Sequence, residues 1–459
     1  MVDFSVPFSA TFPSAFEDRI ADRVPYALPQ VSGTSDYSAI FQTAIDFCAV
    51  NDCSLYVPPG AYTLDNITLR SGVSIVGDNM RSVTFLALSG STNPMFKLPT
   101  GPLVNCTYKG FRINGAGGGA GQNAFYFYCQ AQATAPFHGG LWFFAMQDIE
   151  IFGFDGHAIW FRGGADGVLL PVQFGTMDRV FITRANNSTS RCVLMTGQVN
   201  QISVNGGQWD GQNIGTGTSV EISREYTNGS VIGGASVGGT PGTQYPENIK
   251  FNVLTSQEGE RAIDIERGGD TSIDTCWFEN LYRPIRTSAS SVGVSVVNCH
   301  FANAGSDGAG GGYLIRGDVS TKGRARNNNV VGSVDKLYYG DQHSGWDMAH
   351  AFTGTNVFTA PYTGLSRAFS ISSNTLTSRS CYQVHLNSAA LIKTISSTLL
   401  PGERFSITAN ADGITFDATG NLYVGRWSLL TLNNKDTATF ERNDAFNRWL
   451  LVGTTGVLS

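Results

Sequence analysis

Acids are scarce in this chain of 459 residues, where Asp and Glu together number 36. Seven of them nevertheless fall between Glu258 and Glu279: Glu258, Glu260, Asp264, Glu266, Asp270, Asp274 and Glu279. Arg261 and Arg267 lie inside that stretch and Arg283 just beyond it. Two carboxyl groups brought close together split their pKa values, so one stays protonated as an acid while the other is charged as a base. Such a pair can protonate a leaving oxygen and activate a water. The candidate catalytic residues are Glu258 and Glu279, with Asp210 third and Asp264 in reserve. Within AIDIER, alternation turns Ile263 and Ile265 one way and Asp264 and Glu266 the other. Arg261 and Arg283, with Glu260 beside them, are candidate binding residues that hold an acidic ligand or bridge neighbouring acids. Trp160 and Trp209 are candidate stacking faces, although alternation favours an interior place for Trp209 and leaves Trp160 open. Trp142, in the apolar run LWFFAM, reads as core.

The elements that must position these residues announce themselves by repetition. TSIDTCWFEN (Thr271 to Asn280) recurs as VSVVNCHFAN (Val294 to Asn303), with Cys276 answering to Cys299, Phe278 to Phe301 and Asn280 to Asn303. Glu279 has no acidic counterpart, since Ala302 stands in its place. From about Ile149 onward, segments such as IEIFGFDGHAIWFRGG and NIKFNVLTSQEGERAIDIERGG share one layout of alternating strand, polar turn and second strand. Repeats of this size indicate stacked coils, each rung burying its inward side chains against the next. Cys276 over Cys299 and Phe278 over Phe301 are then interior stacks, and Asn280 over Asn303 an amide ladder at a turn. If Trp209 and Phe278 are equivalent inward positions, Asp210 and Glu279 follow them outward. Asp155, Asp210, Glu258 and Glu279 would form a ridge of carboxylates on adjacent rungs about 4.8 Å apart. A β-sandwich, the competing architecture, does not require residue-for-residue recurrence.

Upstream, DYSAIFQTAIDFCAV predicts a helix from about Asp36 to Val50, capped by Ser35 or Asp36. Its inner face should carry Ile40, Ala44 and Phe47, flanked by Phe41, Ile45 and Cys48. The periodicity fades after about Val330. Strands separated by turns such as Asp412-Gly413 then suggest a distinct β-rich domain, residues 347–459, packed by Trp427 and Trp449.

AIFQTAID (Ala39 to Asp46), YVPPGAYTL (Tyr56 to Leu64), SGVSIVGDN (Ser71 to Asn79) and AIDIERGGDTSIDTCWFEN together resemble the right-handed parallel β-helix proteins of the pectate-lyase-like superfamily. Within it the chain is most similar in character to bacteriophage tailspike and tail-fibre depolymerases. The resemblance covers roughly 36–330. It departs just before the helix, where VSGTSDYSAI replaces the family's Asp-Phe-Gly-Ala run. It implies an all-β single-stranded solenoid with an N-terminal capping helix over 36–346, preceded by an extension (1–35) and followed by a β-rich C-terminal domain for trimerisation or sugar binding. It also implies a homotrimer on a virion tail, made in the host cytoplasm and acting outside the cell on a bacterial capsular or O-antigen polysaccharide, possible tail-protein partners included. A tailspike usually has an attachment domain ahead of the helix; with about 35 residues there, attachment through a partner or a trimmed chain is expected.

Hydrolysis of internal glycosidic bonds by paired carboxylates is the expected activity. One alternative is a lyase, eliminating across a uronic acid with Arg261 or Arg283 as base. The other is a noncatalytic glycan-binding spike. Composition bears on partners as well. A net charge of -6 and a pI near 5.5 give no footprint for nucleic acid. No apolar run is long enough to span a membrane and no signal peptide is recognisable. The eight cysteines are dispersed, with no CxxC or Cys/His spacing, and read as buried thiols. No nucleophile elbow, P-loop or Cys/His dyad is recognised. No cofactor and no metal are expected.

Overall fold

A computed structural model describes residues 25–317 apart from 32, 34, 130–139, 165–170, 184–189, 212–216, 289, 290, 310 and parts of 225–243; beyond 317 it describes mainly the strands and their turns. The helix runs Ser38–Asn51 and buries Phe41, Ala44, Ile45 and Cys48. Its inner face is therefore rotated from the expected one, and Ile40 and Phe47 are only half-buried. Asp36 performs the expected capping from two residues ahead, its Oδ1 accepting the Ser38 N–H at 2.8 Å. The helix stops at Asp52, whose backbone is left-handed (φ 56°), and the Cys53 N–H closes back onto the Cys48 carbonyl.

After the helix the chain winds into a parallel β-helix. One ladder has ten parallel strands, one per rung, running from Ile67–Thr68 through Phe125–Tyr128, Ile159–Arg162, Arg191–Thr196, Thr218–Ser223 and Arg261–Ile265 to Tyr338–Tyr339. Four middle rungs of the broader sheet are long strands in register, Leu103–Asn114, Leu141–Phe152, Val172–Thr183 and Val199–Asp210, preceded by shorter strands such as Ile75–Gly77 and Val83–Ala87 that both pair with the first of them. Later rungs divide each into two, Thr255–Gly259 and Trp277–Leu281 being second halves. The rungs bend at one shared position, where Gly110, Asp148, Arg179, Gly206, Val253, Thr275, Asn298 and Asn327 all have φ between 51° and 76°. A common left-handed kink lets these rungs turn at the same edge and stay in register with their neighbours.

The twin segments lie directly over one another. Phe278 pairs with Phe301 and Glu279 with Ala302. The two phenylalanine rings are 5.1 Å apart, and Cys276 and Cys299 are both buried beside them. Each buried phenylalanine contributes roughly 1.5–3 kcal/mol, which explains the conserved spacing of inward positions from rung to rung. Asn280 and Asn303 recur because both adopt a left-handed backbone (φ 53° and 47°), which Asn tolerates better than branched residues. Upstream the same interior continues as an aromatic stack: Phe96 on Phe125 at 5.0 Å and Phe127 on Phe161 at 5.3 Å.

The parallel pairing extends beyond the expected 36–346 at both ends. Tyr26–Ala27 pairs with Leu55–Tyr56, and Asn328–Asn329 pairs with Phe352–Thr353. The C-terminal strands form mixed and antiparallel sheets around a separate core that includes Ile407, Phe416, Leu430, Phe440 and Trp449. Trp427 lies outside the described residues.

Candidate functional site

Two outward columns run along the second half of the broad sheet. Gln208 pairs with Thr255, Thr255 with Trp277, Trp277 with His300 and His300 with Asn329. Two residues further on, Gln257 pairs with Glu279, Glu279 with Ala302 and Ala302 with Val331. Asp210 heads this second column, two residues after Gln208. Trp209, Ser256, Phe278 and Phe301 between the columns point inward and are fully buried. Residues two apart on a strand share a face, so both columns look out together.

Hydrogen bonds join the columns into one row. Gln208 Nε2 donates to Asp210 Oδ2 at 2.9 Å and to Gln257 Oε1 at 3.2 Å. Gln257 Nε2 donates to Glu279 Oε2 at 2.9 Å, and Trp277 Nε1 reaches the same oxygen at 3.2 Å. Trp277 is 41% exposed, a large aromatic surface for an outward position. One face of its indole is covered by His300, ring centroids 3.9 Å apart and 22° from parallel. His300 Nδ1 in turn lies 2.9 Å from Asn329 Nδ2.

The two carboxyls differ in environment. Burial pushes the Asp210 pKa up to about 6, against hydrogen bonding from Gln208, and the charge of Glu258 adds to the rise. Its Oδ1 is buried with no hydrogen-bond partner, which favours a neutral acid. Glu279 instead accepts two N–H bonds on Oε2. Burial lowers the His300 pKa, with Glu279 opposing it.

No protein-family model and no curated protein sequence matches the chain. Solved structures do. The A-module of mannuronan C-5 epimerase AlgE6 from Azotobacter vinelandii is similar with TM-score 0.50 and 14% identity over 72% of this chain and 93% of that one. The Streptococcus pneumoniae surface protein and adhesin PfbA gives 0.48 and 13%, over 86% and 99%. ORF18 of Geobacillus virus E2 gives 0.42 and 11%, over 94% and 76%. The likeness to the AlgE6 A-module is one of fold, the parallel β-helix described above.

On this β-helix the residues expected from sequence divide between two faces. Asp210 and Glu279 share the outward column described above. Glu258 does not join it, because Gln257 holds the equivalent position; Glu258 sits one residue on, exposed, at a left-handed bend (φ 54°). Asp155 also falls outside the column. Phe152 occupies that place, and the Asp155 Oδ2 instead accepts the Gly121 N–H at a turn. The carboxylate ridge is thus shorter than expected, with amides between its acids.

Glu260, Arg261, Asp264 and Arg283 lie around the corner and on the adjoining ladder. Glu260 bonds to Arg261 at 2.7 Å and to Arg283 at 2.8 Å, and Arg283 also meets Asp307. Asp264 points outward as alternation requires, yet its side chain is only 3% exposed and is held by Arg286 at 2.7 Å. These groups neutralise one another, so the expectation of Asp264 as a reserve catalyst and of Glu260, Arg261 and Arg283 as ligand-holding groups gives way to an ion-pair network. Trp209 is corrected too: it is a core residue whose Nε1 donates to the Val180 carbonyl. Trp160 is buried with its Nε1 on Thr196 Oγ1 at 3.1 Å, which removes it as a stacking platform. Trp142 departs from its core assignment and is half-buried on the outer side.

The residues overlooked in the sequence are Trp277, His300, Gln208 and Gln257. A signal for the first two was present. Once Cys276 and Phe278 are inward, alternation turns Trp277 outward, and the twin segment puts His300 beneath it.

Proposed function

We propose that this β-helix binds and hydrolyses a bacterial surface polysaccharide, as the receptor-binding depolymerase of a phage-type tailspike assembled as a homotrimer. The observation that carries the reading is the row Asp210–Gln208–Gln257–Glu279 beside the exposed indole of Trp277. It supplies an acid, a base and a sugar-stacking surface on one open face.

Asp210 is the general acid. Its raised pKa keeps a proton available near neutral pH, and rotation about Cβ–Cγ exchanges the buried Oδ1 with the oxygen nearer the surface. Glu279 is the general base that activates water. The two acids stand two ladder steps apart, about 10 Å between backbones. Inverting glycosidases separate their carboxyls by roughly 6.5–9.5 Å to admit a water, so inversion of the anomeric centre is the expected stereochemistry. Gln208 and Gln257 hold the acids apart and offer amide groups to sugar hydroxyls.

Elimination is less well supported. It needs an uncommitted base and a cation to neutralise the uronate, whereas Arg261 and Arg283 are both engaged by Glu260. The test is incubation with purified capsular and O-antigen polysaccharides, with Asp210→Asn and Glu279→Gln as controls. Cleavage lost in both variants while glycan binding persists supports the assignment. Binding without cleavage by the unmodified chain across the panel would instead mark a noncatalytic spike.

A further inference from the structure

Resting on that functional reading, we infer that the sugar at the point of cleavage is an uncharged pyranose seated over Thr255 against the free face of Trp277. The column provides the space. Thr255 lies one rung before Trp277, and His300 one rung after it. His300 stacks on Trp277 and fills its level, whereas the small Thr255 leaves the other indole face uncovered by an aromatic neighbour. A ring placed there has Gln208 on its far side and lies between Asp210 and Glu279.

The charge of the place selects the ring. Asp210, Glu258 and Glu279 all stand on or beside it. Among the described residues, neither column carries a lysine or arginine from Gln208 to Asn329 or from Asp210 to Val331. The nearby Arg261, Arg283 and Arg286 face the adjoining side and are paired with Glu260, Asp307 and Asp264. A uronate or sulfated sugar would meet acids and no free cation here. Hydroxyl or acetamido groups would meet the amides of Gln208 and Gln257.

The experiment uses a panel of bacterial capsular and O-antigen polysaccharides, each in native form and after carbodiimide reduction of its uronates to neutral hexoses. Binding and cleavage by the full chain are followed together with Thr255→Trp and Trp277→Ala. Cleavage retained or increased after carboxyl reduction is expected. Thr255→Trp and Trp277→Ala should each weaken binding about tenfold, the scale of one lost aromatic contact. Cleavage abolished by carboxyl reduction would overturn the neutral-sugar assignment while leaving hydrolysis standing. Normal binding by a folded Thr255→Trp would overturn the subsite. If Thr255→Trp does not fold, normal binding by Trp277→Ala would do so. A panel neither bound nor cleaved would overturn the functional reading and this inference together.

Discussion

Asp210 and Glu279 face out of the same column of the coil, with Gln257 on the rung between them and a hydrogen-bonded amide relay joining them. The relationship matters because the two acids sit in different surroundings. One is partly buried with an unpaired oxygen; the other is held by two N–H groups.

Removing either acid should therefore damage turnover more than binding. Asp210→Asn and Glu279→Gln are each expected to lower kcat by about 10²–10⁴, with KM changed much less. Glu258→Gln should keep most of the activity, because Glu258 acts on Asp210 through its charge alone. Steady-state kinetics on a cleaved glycan separates these outcomes.

The pH profile should report Asp210. As an acid it must be protonated, so activity falls as pH rises through about 6. Glu258→Gln removes a charge that raises this pKa and should move that limb to lower pH. The same group affects stability. Its folded pKa lies above the ordinary aspartate value of 3.8, so the folded state holds the proton more tightly and stability declines as pH rises between about 4 and 6. Thermal melting of Asp210→Asn across that range should lack this decline.

His157 should give the opposite slope. It is buried, its Nδ1 accepts the Arg191 N–H, and burial followed by the Arg191 charge lowers its pKa to about 3. A folded pKa below the unfolded value means that the stability conferred by the neutral ring is complete above about 6.5 and is lost as pH falls toward 3. His157→Asn should melt with a weaker acid dependence over that interval than the unmodified chain.

Phe278 and Phe301 form one stack and should behave as one. Each change to Ala should cost about 3–5 kcal/mol, and the double variant less or more than the sum by about 0.5–3 kcal/mol. Denaturant unfolding of the four proteins measures that coupling. Asn303→Val should cost about 1–3 kcal/mol through its left-handed backbone, whereas Asn303→Gly should be close to neutral.

The coil was legible because parallel stacking writes itself into sequence: Cys276 and Phe278 had to sit over something like themselves, and they do. The site was legible only to within a residue. Alternation identified Asp210 and Glu279 as outward, but the bend before Gly259 shifts Glu258 out of their column and gives the place to Gln257. Attention to acids also passed over Trp277, whose outward position follows from the same alternation. Asp264 shows a different limit. Its direction was correct, but the adjoining ladder is buried on both faces through Arg191–Thr196 and Thr218–Ser223, and period-two patterning does not report what covers an outward side chain.

The most direct test is mass spectrometry of the fragments released from a surface polysaccharide by the unmodified chain, Asp210→Asn and Glu279→Gln. The account predicts fragments carrying one added water from the unmodified chain and almost none from either variant. Fragments lacking that water and ending in an unsaturated uronate, or undiminished release by both variants, would contradict it.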